Sequence, residues 1–314
     1  MGLFHFAIEG RRAPALFVTG WVAVLVGVGA TLVGFLSAQG GGSSLLFGAG
    51  LAITSIGLFL LGGSQTVERG AAGRAYAGPS PVLVFAATVT TALVAILVVG
   101  TPLELSGLKV PRPIGDLILE AVQAVVFIGV VQLLVVGPGA ISWREMGFGI
   151  PIRRIIPALA WGAILAIPLV FVTGVVGAAL IAIFGVQPAA PLPATGTTSG
   201  LILNLVTAAL LAPIAEEIVF RGVAVTAWAR TSPAWSAILR GAVLFAVAHV
   251  LTTSGDSFGP AASLAFVSAA ARLPVAIGLG WVYLRSGTIW SSIGLHAVFN
   301  GVILVVAELN FAHS

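Results

Sequence analysis

Residues 157–184 read PALAWGAILAIPLVFVTGVVGAALIAIF and contain no charged side chain over 28 positions. A helix of about 20 apolar residues crosses the hydrocarbon core of a bilayer. This stretch is long enough to span a membrane and too apolar for the surface of a soluble protein. It predicts that the chain folds in lipid.

Similar apolar stretches recur along the rest of the chain. Hydrophobic residues are 59% of the 314 positions and charged residues only 8%, whereas soluble domains carry about 25% charged residues. Glycine, at 40 residues, suits closely packed membrane helices. We predict an all-α fold, a polytopic transmembrane bundle of about eight or nine helices; the second is glycine-rich and could dip into the bilayer rather than span it. The predicted helices lie near residues 14–36, 44–63, 82–100, 117–137, 157–184, 201–229, 235–252, 261–284 and 288–309.

The basic residues predict an orientation, because cytoplasmic loops are enriched in Lys and Arg. With a cytoplasmic N-terminus and nine alternating helices, only Lys109 and Arg112 face the outside. We therefore expect a multi-pass integral protein of the plasma membrane with its N-terminus in the cytoplasm. The eleven residues on the inside are Arg11, Arg12, Arg69, Arg74, Arg144, Arg153, Arg154, Arg221, Arg230, Arg240 and Arg285.

Composition also excludes several classes of function. The chain has no cysteine, which removes disulfides, thiolate metal sites and a cysteine nucleophile. Its net charge of +4 is scattered between apolar runs and forms no basic stripe of the kind that binds nucleic acid. The partners that we expect are membrane lipid and a peptide or protein substrate, with no nucleic acid.

Ionisable residues inside predicted spans are the candidate functional residues, because charge in a bilayer is costly. Glu216 and Glu217 are adjacent, and Arg221 lies four residues after Glu217, on the same helix face. Glu216 points about 100° away from Glu217. His249 and His296 lie in two later predicted helices, whereas His5 and His313 lie at the termini.

These polar groups suit hydrolysis if they converge inside the bundle. A carboxylate such as Glu216 can take a proton from water, and His249 can orient that water or donate to the leaving amine. His296 and Asn300 are spaced i and i+4, so both could face a developing oxyanion.

The three groups resemble the motifs of a known family. Glu216 to Arg221 reads EEIVFR and resembles an EExxxR motif; residues 245–249 read FAVAH and resemble FxxxH; residues 296–300 read HAVFN and resemble HxxxN. Together they resemble the CPBP family of intramembrane proteases, which includes CAAX prenyl endopeptidases of the Rce1 type and bacterial Abi relatives. The stretch GWVYLRSGTIW at 280–290 is also typical of that family.

The resemblance implies a membrane-embedded endopeptidase whose core occupies residues 201–314, with family-variable helices at 1–200. It implies that Glu216 activates water beside His249, that Glu217 and Arg221 hold the geometry, and that His296 and Asn300 bind the oxyanion. It leaves the metal question open: Glu216, His249 and His296 could hold zinc, or the enzyme could use glutamate and histidine without a metal. The substrate, prenylated or not, is not readable from the sequence.

Other protease chemistries fit the sequence poorly. Neither intramembrane histidine is followed by glutamate, as HExxH requires. The aspartates, Asp116 and Asp256, lie at predicted helix ends rather than as a buried pair. A serine–histidine pair in a GxSG setting is also missing from the predicted helices.

Two alternatives to a protease stay open. Buried Glu, His and Arg also build proton relays in transporters, although the chain shows no repeat of the kind that many transporters carry. A catalytically idle membrane scaffold is the other alternative. Arg272, within the eighth predicted helix, is explained by neither motif nor family, and Phe245 is interpreted as a packing residue.

Overall fold

The structure, a computed structural model, describes residues 8, 10–37, 43–188, 192–251, 253 and 258–312. His5, His313 and Asp256 lie outside these residues. The described part is helical and contains no strand. Its helices are α1 (Pro14–Leu36), α2 (Ser43–Ala71), α3 (Pro81–Leu105), α4 (Arg112–Val136), α5 (Ile152–Phe184), α6 (Thr198–Ala229), α7 (Ala234–Ala248), α8 (Phe258–Ser286) and α9 (Ile289–Ala312).

The predicted multi-pass membrane fold is confirmed. Among the described residues, eight helices are long and apolar enough to cross a membrane, and α7 is a shorter apolar helix of 15 residues. At about 1.5 Å per residue, α7 is shorter than the roughly 30 Å hydrocarbon core. Helix α2 is continuous over 29 residues, so it has the length to span that the sequence left open.

The chain divides into two compact units. The first holds residues 1–110 and 121–142, and the second holds 111–120 and 143–314. The predicted division at residue 200 is a different partition and stays a prediction.

Glycines bring α1 and α2 together in the first unit. A Cβ on Gly27 would lie 2.5 Å from the Thr54 backbone nitrogen, and a Cβ on Gly50 would lie 2.4 Å from that of Thr31. Such close backbone approach is how membrane helices gain packing energy without a hydrophobic effect between them.

The second unit is organised around the crossing of α5 and α9. A Cβ on Gly162 would lie 1.8 Å from the Ser291 carbonyl oxygen, and one on Gly294 would lie 2.2 Å from that of Leu159. Next to this crossing, α5, α8 and α9 share a buried core: Ala166, Val275, Leu279, Val282, Leu295 and Phe299.

The turn between α8 and α9 fixes where α9 begins. Gly287 adopts φ +68°, a left-handed conformation that favours glycine. The next residue, Thr288, donates its hydroxyl to the Gly147 carbonyl at 2.9 Å. This contact ties the start of α9 to the short turn at Arg144–Phe148, in which Gly147 has φ +90°.

Candidate active site

Helix α6 carries the two acidic residues on a short α-helical turn, Ala212–Glu217, between two π-helical stretches. These stretches are Leu205–Leu211 and Ile218–Val225. A π-helical turn bonds i to i+5, widens the helix and recurs at functional sites. The sequence predicts one continuous helix here and does not reveal the change from α-helical to π-helical winding.

Glu217 is the centre of a buried ion pair. Its Oε1 lies 2.9 Å from Arg221 Nη1 and 2.9 Å from His296 Nδ1. The Glu217 side chain is 0% exposed and that of Arg221 1%. Arg221 also donates Nη2 to the Ala276 carbonyl at 3.3 Å. The predicted i, i+4 pair is present, and it extends to His296.

Glu216 faces the two histidines. Its Oε2 lies 3.8 Å from Nε2 of His249 and 3.8 Å from Nε2 of His296. That oxygen is buried and has no hydrogen-bond partner among the described residues. The side chains of Glu216 and His249 are 16% and 27% exposed, against 4% for His296. The Glu216–His249 edge is therefore the more accessible side of the cluster.

The hydrogen bonds assign the protons on both imidazoles. His249 Nδ1 lies 2.8 Å from the Phe245 carbonyl oxygen, which can only accept, so Nδ1 carries the proton. His296 Nδ1 lies 2.9 Å from Glu217 Oε1, an Arg-paired carboxylate that also accepts. In the neutral rings both Nε2 atoms are then unprotonated, and with Glu216 Oε2 they place three acceptors side by side.

Phe245 positions this arrangement through its ring as well as its carbonyl. The ring centroid lies 4.4 Å from that of His249 and 5.6 Å from that of His296. The Arg221 guanidinium carbon lies 4.7 Å from the same centroid, within the range of a cation–π contact. Phe245 is a packing residue, as predicted, but it packs against three polar members of the cluster.

Asn300 contacts α6 away from the two acids. Its Nδ2 donates to the Ala208 carbonyl at 2.8 Å. In the π-helical stretch the Ala212 N–H donates to the Thr207 carbonyl, five residues back. By the same i to i+5 pattern, the Ala208 carbonyl would accept from the N–H of residue 213. That residue is Pro213, which has no N–H. The Asn300 amide therefore replaces a missing backbone donor.

Zinc is the metal that the resemblance leaves open for Glu216, His249 and His296. Zinc binds nitrogen and oxygen at about 2.0–2.2 Å, so two ligands of a tetrahedral site lie about 3.4 Å apart. The 3.8 Å separations from Glu216 Oε2 are wider. Within the described residues, no group of three His, Cys, Asp or Glu side chains could hold a metal ion. The proposed mechanism accordingly uses protein groups alone.

The structure brings five of the six predicted site residues into one cluster: Glu216, Glu217, Arg221, His249 and His296. The sixth, Asn300, joins α9 to α6 through Ala208. Sequence reasoning missed the Phe245 carbonyl, for which a sequence carries no signal. It also gave no role to Arg272, whose charge interacts with Glu216 and His249. The sequence signal for this residue was a charged side chain inside an apolar span.

Fold and site together define a multi-pass membrane protein with a carboxylate–histidine cluster among its helices. Residues 198–302, about a third of the chain, match the family model of the Rce1-like type II CAAX prenyl endopeptidases. This match agrees with the resemblance that the motifs indicated, and the matched segment contains the whole cluster. No curated protein and no solved structure matches the chain.

Proposed function

We propose that the protein is an intramembrane endopeptidase that hydrolyses peptide bonds in or near the bilayer with a water activated by Glu216. The observation that carries this proposal is the Glu216 Oε2 atom, buried without a hydrogen-bond partner and 3.8 Å from two imidazole nitrogens. Acceptors at that spacing suit a bridging water that donates to the carboxylate and to one ring.

The proposed reaction uses Glu216 as general base and then as proton donor. Glu216 takes a proton from the water while the water oxygen bonds to the carbonyl carbon of the peptide. The carbon–nitrogen bond then breaks, and the proton held by Glu216 passes to the leaving nitrogen. Because its Nε2 is unprotonated, neutral His249 accepts the second hydrogen of the water and orients its lone pair toward the carbonyl.

Glu217 and Arg221 hold the geometry in this proposal. A glutamate that anchors His296 through Nδ1 fixes the ring's orientation and its tautomer, in the way that carboxylates orient catalytic histidines. Arg221 in turn neutralises Glu217 and is held against the Phe245 ring.

The proposal also includes the substrate class and the location of the protein. The substrate is a peptide or protein chain. The protein lies in the plasma membrane with its N-terminus in the cytoplasm.

The experiment is cleavage of a quenched peptide library by purified protein in lipid. We expect cleavage by the wild type and none by His249→Ala with its thermal stability retained. Arg240→Ala alters an exposed residue of helix α7, the helix that ends just before His249, and should cleave normally. Full activity in His249→Ala would overturn the mechanism. Ligand-driven flux in proteoliposomes that depends on Glu216, without cleavage, would favour the transporter instead.

A further inference from the structure

Arg272 is a cation inside helix α8 whose only hydrogen bond among the described residues is to a neutral group. Its Nη1 donates to the Ser268 carbonyl at 2.7 Å, and no carboxylate of a described residue lies within 4.0 Å of it. By contrast, Arg11, Arg221 and Arg230 each form an ion pair, with Glu68, Glu217 and Glu145. A charge inside a candidate membrane-spanning helix without a carboxylate partner is costly and indicates a functional role.

Arg272 lies on the face of α8 that points toward the cluster. One turn further along the helix, the Ala276 carbonyl accepts Nη2 of Arg221 at 3.3 Å, and residues four apart share a helix face. The Arg272 charge also interacts with Glu216 and with His249, the two members of the accessible edge. Helix position and charge therefore direct Arg272 toward the accessible Glu216–His249 edge.

Most side-chain N–H groups around the cluster are engaged elsewhere. Asn300 donates one of its two amide N–H groups to the Ala208 carbonyl. The single N–H of neutral His296 points to Glu217, and that of neutral His249 points to the Phe245 carbonyl. A guanidinium has five N–H groups, of which Arg272 uses one on Ser268.

We infer that Arg272 is a catalytic residue that donates hydrogen bonds to the oxyanion formed when water adds to the scissile carbonyl. This inference rests on the proposed function. As the water oxygen bonds to the carbonyl carbon, the carbonyl π electrons move to its oxygen, where the guanidinium meets the negative charge. That charge returns to the carbon–oxygen double bond when the carbon–nitrogen bond breaks and nitrogen takes the proton from Glu216. A charged donor already fixed in place costs no reorganisation during the reaction.

The test compares Arg272→Gln, Arg272→Lys and the control Arg285→Gln, an exposed arginine of the same helix. The substrate is the library peptide that the wild type cleaves fastest, made with a free and with an amidated C-terminus. We expect Arg272→Gln to lower kcat about 10²–10³-fold on both forms, with KM and the melting temperature nearly unchanged. Arg272→Lys keeps the charge but has fewer N–H donors, so its kcat should fall below that of the wild type, by less than the loss expected for Arg272→Gln. This drop can be measured even if Arg272→Gln fails to fold.

Three results would overturn the inference. Wild-type kcat in Arg272→Gln would show that Arg272 does not meet the oxyanion. A rise in KM limited to the free-acid peptide would show that it binds a substrate carboxylate instead. Wild-type kcat in Arg272→Lys alongside an unfolded Arg272→Gln would show that the positive charge at residue 272 stabilises the fold and does not act on the oxyanion. If Glu216→Gln is inactive while Arg272→Gln turns over as the wild type does, this inference alone fails. If the wild type cleaves nothing, the proposed function fails with it.

Discussion

Glu217 Oε1 lies 2.9 Å from Nδ1 of His296, a residue 79 positions later in the chain. The same oxygen receives Arg221 Nη1, so one buried carboxylate compensates a cation and orients an imidazole. The neighbouring Glu216 is bound to neither group at hydrogen-bond distance. Two adjacent glutamates thereby have different surroundings, one closed in an ion pair and one open toward a reactant.

This difference predicts unequal costs when each glutamate is removed. Glu217→Ala leaves the Arg221 charge buried without a partner, which costs about 3–5 kcal/mol in known buried pairs. Glu216→Ala removes a group that holds no close ion pair. We expect Glu217→Ala to lower folded yield and thermal stability in detergent clearly more than Glu216→Ala. Equal melting temperatures in the two variants would count against the pairing.

Part of this cluster could be predicted from sequence, because helix periodicity relates near neighbours. Glu217 and Arg221 are four residues apart, so their pairing follows from any helical winding that keeps them on one face. The contact from Glu217 to His296 depends on how α6 and α9 pack, for which the residues between them give no local rule. The three motifs indicated that these helices meet, but not that Glu217 rather than Glu216 holds His296.

Helix positions were predictable where apolar runs and helices coincide. Helix α1 begins and ends at the predicted residues. Helix α2 continues eight residues past its predicted end at 63, to Ala71. The prediction followed the apolar run alone, whereas the helix continues through polar residues such as Glu68. Helix α7 stops at Ala248 although apolar residues continue to Leu251, since the chain turns at His249.

The Asn300 contact predicts energetic coupling to a proline. Asn300→Ala leaves the Ala208 carbonyl without a donor and should cost about 1–3 kcal/mol. Pro213→Ala restores an N–H at residue 213, so Asn300→Ala should cost less in that background. Thermal unfolding of both single variants and the double variant measures the coupling. Strictly additive shifts would mean that Pro213 does not create the need for Asn300.

The crossing of α5 and α9 predicts a steep size limit at Gly162. A methyl group there would lie 1.8 Å from the Ser291 carbonyl oxygen, so Gly162→Ala should force α9 away from α5 and lower the melting temperature. Gly174 lies in the same helix with nothing within 4 Å of an added Cβ. Gly174→Ala should be neutral or stabilising by up to about 1 kcal/mol, because alanine favours helix. Matching melting temperatures would contradict the described crossing.

Turnover of the best library peptide by Glu216→Gln is the most direct test of the central claim. Glutamine keeps the shape of the side chain but cannot take a proton from water. We predict that cleavage falls at least about 10²-fold, whereas Glu104→Gln, the same change at an exposed residue of α3, cleaves as the wild type does. Wild-type turnover by folded Glu216→Gln would contradict the account.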